Sequence, residues 1–263
     1  MGSWKTVGDP SVYGSLSLQM DEALRYMEDY RATTGRRLTV THMMGKAVAA
    51  ALEKMPDANA ILRFNRPYLR EDISIFFQVV MKDPNTGEID LSGTVVHNAD
   101  QKTLSEFIDL MEGNVKKVRK GTDQELEKGR SLFKRMPLML VRWFLNTLSF
   151  LGFTLNLDLR WAGVPKDPFG SVAITNIGSL GLEEAYVPLV PYTRVPLFLA
   201  MGAIKKVPAV MDDEVKIIQE MKVFATFDHR LLDGAHAAVM ASTLRDWFES
   251  PYEYFGPIEN PQE

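Results

Sequence analysis

The stretch "FDHRLLDGAH" (227–236) gathers two of the chain's four histidines, two aspartates and an arginine. His229 stands between Asp228 and Asp233, and Gly234 directly follows the second carboxylate. Imidazole is the side chain best suited to take up a proton near neutral pH, so His229 is a candidate general base. A neighbouring carboxylate would orient the ring or fix a turn, and a glycine after it would permit a backbone angle other residues resist. Asp-Gly is also an ordinary turn pair. Spacing alone leaves two readings of His229: a proton acceptor, or a structural residue of a turn.

The flanking segments say what must hold it. "VKIIQEMKVFATFDH" (215–229) reads as a long strand. "GAHAAVMASTLRDWFESP" (234–251) reads as a helix with Ala237, Met240, Ala241, Leu244 and Phe248 on one face and Pro251 as its stop. His229 thus lies where a strand gives way to a helix, at a sheet edge. Further upstream, alternation in "SLSLQMD" (15–21) predicts a strand. "DEALRYMEDYRATTG" (21–35) predicts a helix stopped by Gly35. "TVTHMMGKAVAAALEKMP" (39–56) predicts a second helix, with Thr41 as N-cap and Pro56 as terminator. Strands are expected at 73–83 and 91–100 around a "PNTGEI" turn, and an amphipathic helix at 102–121. "SVAITNIG" (171–178) and "PLFLAMGAIKKVPAV" (196–210) predict two more strands, the second joined to 215–229 by a "MDDE" turn. Helices and long strands mix without strict β-α alternation, so the expected fold is an α/β two-layer sandwich with a mixed β-sheet.

Composition bounds the chemistry. With 263 residues, 46% hydrophobic and 24% charged, the chain matches a soluble globular protein large enough for a sizeable core. The net charge of −4 argues against general nucleic-acid binding, which calls for a basic excess. No cysteine is present, which excludes disulfides, thiolate metal sites and a cysteine nucleophile. His42, His97 and His236 are scattered, and no HExxH or Asp-rich loop occurs, so no catalytic metal is expected. No GxxxxGK(S/T) or GxGxxG offers a phosphate cradle. A polar start without an apolar leader makes a cytoplasmic setting the expectation.

"DHRLLDGA" resembles the Asp-His-Arg-x-x-Asp-Gly signature of the dihydrolipoamide acyltransferases, the acyltransferase core of 2-oxoacid dehydrogenase complexes. Asp228, His229, Arg230, Asp233 and Gly234 fill every fixed position. "SVAITNIGSLG" (171–181) resembles that family's Thr-x-(Ser/Thr)-Asn-(Leu/Ile)-Gly strand. "THMMGKAVAAAL", "PDANAILRFNRPYLREDISI" and "NADQKTLSEF" resemble three further passages, in the same order, so the likeness covers most of residues 15–250. It implies a chloramphenicol acetyltransferase-like fold and a single acyltransferase catalytic domain over 1–263. It implies CoA or acyl-CoA as substrate, held in a channel between subunits, and a thiol acceptor of dihydrolipoyl type. His229 takes the position of the family's general base, Thr175 that of the hydroxyl that meets the oxyanion, and Asp233 that of a carboxylate supporting the site. Asp228 and Arg230 are expected to form structural ion pairs, and Gly178 to allow close backbone approach. A homotrimer is expected, because the site forms between neighbours, with further assembly of trimers left open.

Three departures bear on function. No lipoyl-bearing domain accompanies the motifs, so no lipoyl group is expected on this chain and a lipoyl domain would be supplied in trans. Residues 130–168 look like an apolar helical insertion, with Pro137 and Gly152 suggesting two short helices. Its charge-free run, 143–157, is shorter than the roughly 20 residues a spanning helix needs. Packing within the protein or its oligomer is the favoured role, ahead of a lid or groove for a hydrophobic acyl chain, and ahead of membrane contact through 136–157. The end, "SPYEYFGPIENPQE", keeps Tyr252, Tyr254 and Phe255 and then turns polar, where the family's cages use a short apolar anchor between trimers, so assembly beyond a trimer is not the expectation. Two alternatives stand beside the CoA-dependent acyltransferase: a non-catalytic trimeric scaffold of the same fold, and a membrane-associated acyltransferase with a hydrophobic acceptor.

Overall fold

The structure, a computed structural model, describes residues 10–82, 89–119, 137–162 and 164–258. In chain order its elements are β1 (Ser11–Gln19), α1 (Asp21–Thr34), α2 (Val40–Lys54), β2 (Ala60–Arg63), β3 (Arg66–Leu69), β4 (Ile75–Lys82), β5 (Ile89–Val96), α3 (Leu104–Arg119), α4 (Leu138–Ser149), β6 (Val172–Asn176), β7 (Leu197–Met201), β8 (Lys205–Met211), β9 (Glu214–Asp228), α5 (Gly234–Glu249) and α6 (Pro251–Tyr254).

The main sheet runs β1-β9-β7-β6-β4-β5, with β8 also pairing β9. β4, β6 and β7 are mutually parallel, and the remaining pairings are antiparallel. This is the mixed sheet expected from the sequence. Alternation along each strand divides the residues between two faces. Leu18, Ile75, Phe77, Ile174, Leu199 and Val223 turn to one face and form a single core with Met44, Val48, Leu52, Phe107, Leu244 and Phe248 of the helices. The opposite face carries a small cluster of Ile177, Ala200 and Phe224, partly covered by Ala185 and Val187. One helical layer on one sheet face makes the sandwich.

Several boundaries differ from the sequence expectation. β1 begins four residues earlier, because Ser11–Gly14 pair with Asp228–Ala225. The cap of α2 is Thr39, not Thr41. Thr39 is extended (φ −129°, ψ 159°) and accepts from the His42 amide, while Thr41 already lies inside the helix. The expected strand over 196–210 is two strands. β7 ends at Met201, and Gly202 passes so close to the Glu183 carbonyl that a Cβ would lie 2.2 Å from it. The hairpin of β2 and β3 is an addition; Phe64 and Asn65 both take positive φ at its two-residue turn, as a primed turn requires. The expected strand 91–100 stops at Val96, and the "PNTGE" turn lies outside the described residues. α4 does not break in two: it widens into a π-turn at Phe150–Thr154 that contains Gly152. The first residues of the expected insertion, 130–136, are outside the described residues.

The β8–β9 hairpin turns on Asp212 and Asp213, both at positive φ. It projects beyond the end of β1, whose last partner on β9 is Glu220. Its Val210, Val215 and Ile217 are each about three-quarters exposed. On α4, Leu140 and Trp143 are also exposed. No helix among the described residues is long and apolar enough to cross a membrane.

Candidate active site

The turn that carries His229 braces itself. The Asp228 carboxylate accepts the Arg230 backbone amide at 3.0 Å and the Arg230 guanidinium through Nε (2.9 Å) and Nη2 (2.6 Å). The Asp228 carbonyl accepts the amides of Leu231 and Leu232 at 3.0 and 2.9 Å. These bonds fold the chain back so that the Leu232 carbonyl lies 2.9 Å from Nδ1 of His229. A carbonyl can only accept, so Nδ1 carries the proton, and in the neutral ring the lone pair sits on Nε2. His229 itself is exposed. The ring is therefore oriented by a backbone carbonyl, not by Asp233. That carbonyl belongs to an unremarkable leucine, and no sequence signal marks it.

Asp233 has a different partner. It is the N-cap of α5, accepting the amides of Ala235 (2.9 Å) and His236 (3.1 Å). Its carboxylate also contacts His236 Nδ1 at 2.7 Å, and Asp57 meets the same ring at Nε2, 3.1 Å away. Partial burial opposes protonation of His236, but the hydrogen bonds to Asp57 and Asp233 outweigh it and raise its pKa. Gly234 does not take the special backbone angle suggested by its position. It is the first helical residue, lies outside the positive-φ glycines, and a Cβ there would meet nothing within 4 Å.

Thr175 sits on β6, opposite Ala200 of β7. It is 8% exposed. Its neighbours Ile174 and Val172 enter the helical core, so alternation turns Thr175 to the other sheet face. Among the described residues its Oγ1 makes no hydrogen bond. The strand end is held by close backbone packing: a Cβ on Gly178 would lie 2.6 Å from the Gly202 carbonyl. Asn176 follows, accepting the Ser179 amide and donating to Thr41 Oγ1 at the start of α2.

Register measures how far apart the two groups are. Thr175 aligns with Ala200, and Ala200 with Phe224 on β9. His229 lies five residues beyond Phe224, about 16 Å along the strand and two strands, about 10 Å, across. One chain thus brings His229 and Thr175 into the same sheet but to opposite ends of it.

The remaining polar groups fall into structural roles. His42 is buried in the α2 capping box, and burial, reinforced by Arg37 and Arg31, lowers its pKa to about 4. His97 Nδ1 bonds the buried Ser74 hydroxyl at 2.8 Å, and Ser74 donates to Asp72. Hydrogen bonding from His97 first, and from Ser74, holds the Asp72 carboxyl at about 2. Lys46, buried on α2, donates to the carbonyls of Ala99, Asp100 and Lys102. It ties the "THMMGKA" helix to the "NADQK" turn and accounts for both motifs structurally. Among the described residues no group of three His, Asp or Glu side chains could hold a metal ion.

The model of the family described as 2-oxoacid dehydrogenases acyltransferase (catalytic domain) matches residues 3–131 and 169–255. The chain belongs to this family. A dihydrolipoyllysine-residue acetyltransferase component of the pyruvate dehydrogenase complex of Rickettsia bellii is 25% identical to it over 250 residues, or 92% of this chain. This acyltransferase-family chain spans 48% of that relative's length, about half. Among solved structures, a probable dihydrolipoamide acetyltransferase of Listeria monocytogenes superposes with a TM-score of 0.67 at 17% identity, covering 97% of this chain and 88% of that one. A dihydrolipoamide acetyltransferase of Azotobacter vinelandii, studied for a serine, a histidine and an asparagine in its catalytic mechanism, gives 0.67 at 19% identity over 94% of this chain and 84% of that one. These likenesses establish the acyltransferase-core fold. The family model passes over 132–168, the stretch that contains α4.

Proposed function

We propose that this family member is a CoA-dependent acyltransferase, passing an acyl group between CoA and a thiol of dihydrolipoyl type. The observation that carries the reading is the Nδ1–H bond of His229 to the Leu232 carbonyl, which fixes the tautomer a general base needs on an exposed ring. In the reaction, Nε2 removes the proton from the attacking thiol. The thiolate adds to the thioester carbonyl carbon, and the carbonyl oxygen becomes an oxyanion. Thr175 donates its hydroxyl hydrogen bond to that oxyanion. The tetrahedral intermediate collapses, the C–S bond to the original carrier breaks, and His229 returns its proton to the departing thiolate. Asp233 supports the site at one remove, by capping the helix that starts behind the turn.

The separation of His229 from Thr175 supports a site shared between chains, with His229 of one protomer beside Thr175 of the next. The projecting β8–β9 hairpin, with Val210, Val215 and Ile217 exposed, supports an oligomer in which that apolar surface is covered. We read the assembly as a homotrimer, able to build into larger complexes of the kind its relatives form, with lipoyl groups arriving on another chain or domain. The domain reading follows: one catalytic domain, with 132–168 an insertion into it.

The test is release or consumption of CoA with acetyl-CoA and longer acyl-CoAs, offered dihydrolipoamide. The wild type turns over, and His229→Ala lowers turnover by a factor on the order of 100 to 10,000. Equal turnover of the two proteins would remove the enzyme reading and leave a scaffold.

A further inference from the structure

Two cavities abut beneath α4. The first, about 570 Å³, is walled by apolar side chains, among them Val141, Leu145 and Leu148 of the inner face of α4, with Leu159 and Phe169 opposite. The second, about 410 Å³, is polar and lined by residues such as Arg63, Arg70, Asp72 and His97. Gly152, Phe153, Lys166 and Asp167 line both, so the apolar chamber ends where the polar one begins.

The shape and walls narrow the ligand. The apolar lining runs along α4 from Val141 to Ser149, about 12 Å of helix at 1.5 Å per residue, and continues into the π-turn at Gly152. A cavity of this size lies within the range of roughly 300–1,000 Å³ that small-molecule sites occupy. An elongated apolar chamber with polar groups at one end fits an extended hydrocarbon chain carrying a polar head. Lys166 stands at the junction and has no hydrogen bond or ion pair among the described residues. Buried Arg70, beside it, is paired with Asp167, yet among the described residues its Nε and the Asp167 Oδ1 lack hydrogen-bond partners.

The location ties the chamber to the chemistry. Tyr192 lines it, and Arg194, two residues on, donates from Nε to Ser149 at the end of α4. Pro196 then accepts the Asp228 amide, next to His229. The chamber lies at the same end of the sheet as the catalytic turn. We propose that the chamber under α4 binds the hydrocarbon chain of a medium- or long-chain acyl group, with Lys166 at its polar end. Its use as an acyl-specificity pocket rests on the acyltransferase reading; the binding itself does not.

The experiment has two arms on the intact protein. Saturated fatty acids of 6 to 16 carbons are titrated by calorimetry, beside N-acetylcysteamine thioesters of the same acids. Affinity should rise roughly fourfold per added methylene until the chamber is full. Leu145→Trp, with unchanged far-UV dichroism and oligomeric mass, should abolish binding of both series. Lys166→Gln should weaken the carboxylates several-fold and leave the thioesters unaffected if the site is built for the thioester. Loss of neither series' affinity in Lys166→Gln would remove Lys166 from the polar end of the site. In the second arm, the ratio of dodecanoyl to acetyl transfer from CoA should fall at least tenfold in Leu145→Trp. Absence of saturable binding, affinity independent of chain length, or residues 120–136 found filling the chamber would overturn the proposal. Chain-length-dependent binding without any transfer would uphold the chamber and overturn the acyltransferase reading instead.

Discussion

His229 and Thr175 are held by opposite kinds of construction. The histidine rides on a turn braced by bonds within its own five residues, Asp228 to Leu232, and tied to the rest of the sheet by the Asp228 and His229 amides, which donate to the Pro196 and Pro10 carbonyls; its ring stands exposed at the end of β9. The threonine is held from outside: it is 8% exposed on β6, and its strand end is set by contact of Gly178 with Gly202. The ring is set by a bond within its own turn, whereas the strand end is set by tertiary packing. Neither half contains a complete site, because the two lie at opposite ends of one sheet. On the proposed function, the fold builds two half-sites and leaves their union to assembly.

The largest effect after loss of His229 itself should be at the other half. Thr175→Ala should lower turnover by about 100-fold, the usual effect of removing one oxyanion donor. Thr175→Ser should restore most of it, since the hydroxyl remains. An equal loss in the alanine and serine variants would mean that Thr175 acts through packing. Gly178→Ala comes next. Its Cβ must displace the Gly202 backbone, so the domain should lose about 1–3 kcal/mol in urea denaturation. Activity per folded protomer should fall with it.

The His229 half should respond more gently. Asp233→Ala removes the α5 cap and should lower the midpoint of urea denaturation, while leaving the Leu232 carbonyl to orient the ring. Turnover should therefore fall far less than in His229→Ala; an equal fall would give Asp233 a direct part in catalysis. The smallest effect is one of pH. The raised pKa of His236 means its protonated form is favoured by the fold through Asp57 and Asp233. That contribution is fully present below the unfolded value of about 6.5 and is lost as pH rises through the higher folded value. Hydrogen exchange at the first turn of α5, corrected for intrinsic rates, should quicken over that rise, while exchange in β6 should not.

The same contrast explains what could be read from the sequence. The spacing around His229 marked a candidate base or a turn residue and the resemblance chose between them, whereas the capping of α5 by Asp233 came only with the structure. The Leu232 carbonyl was not legible, since any residue supplies a carbonyl. Thr175 was legible only through resemblance, because a threonine in a strand has no signature of its own. The break of 196–210 at Gly202 depends on the Glu183 carbonyl, nineteen residues upstream, and no alternation pattern in the strand contains it. Thr39 rather than Thr41 caps α2 because both residue types suit a cap, and only the His42 ring bonding back to Thr39 decides between them. The apolar run around α4 suggested packing first and an acyl-chain groove second; its walls were not legible, since Phe169 and Tyr192 from the main body help line the chamber.

The most direct test of the shared site is subunit complementation. His229→Ala and Thr175→Ala chains are each purified, found almost inactive, then unfolded and refolded together in equal amounts. In a closed threefold ring every mixed trimer holds one site with both groups intact, so random mixing should return about one quarter of wild-type CoA-dependent transfer. Activity that stays at the level of the separate variants would contradict a site built from His229 of one chain and Thr175 of another.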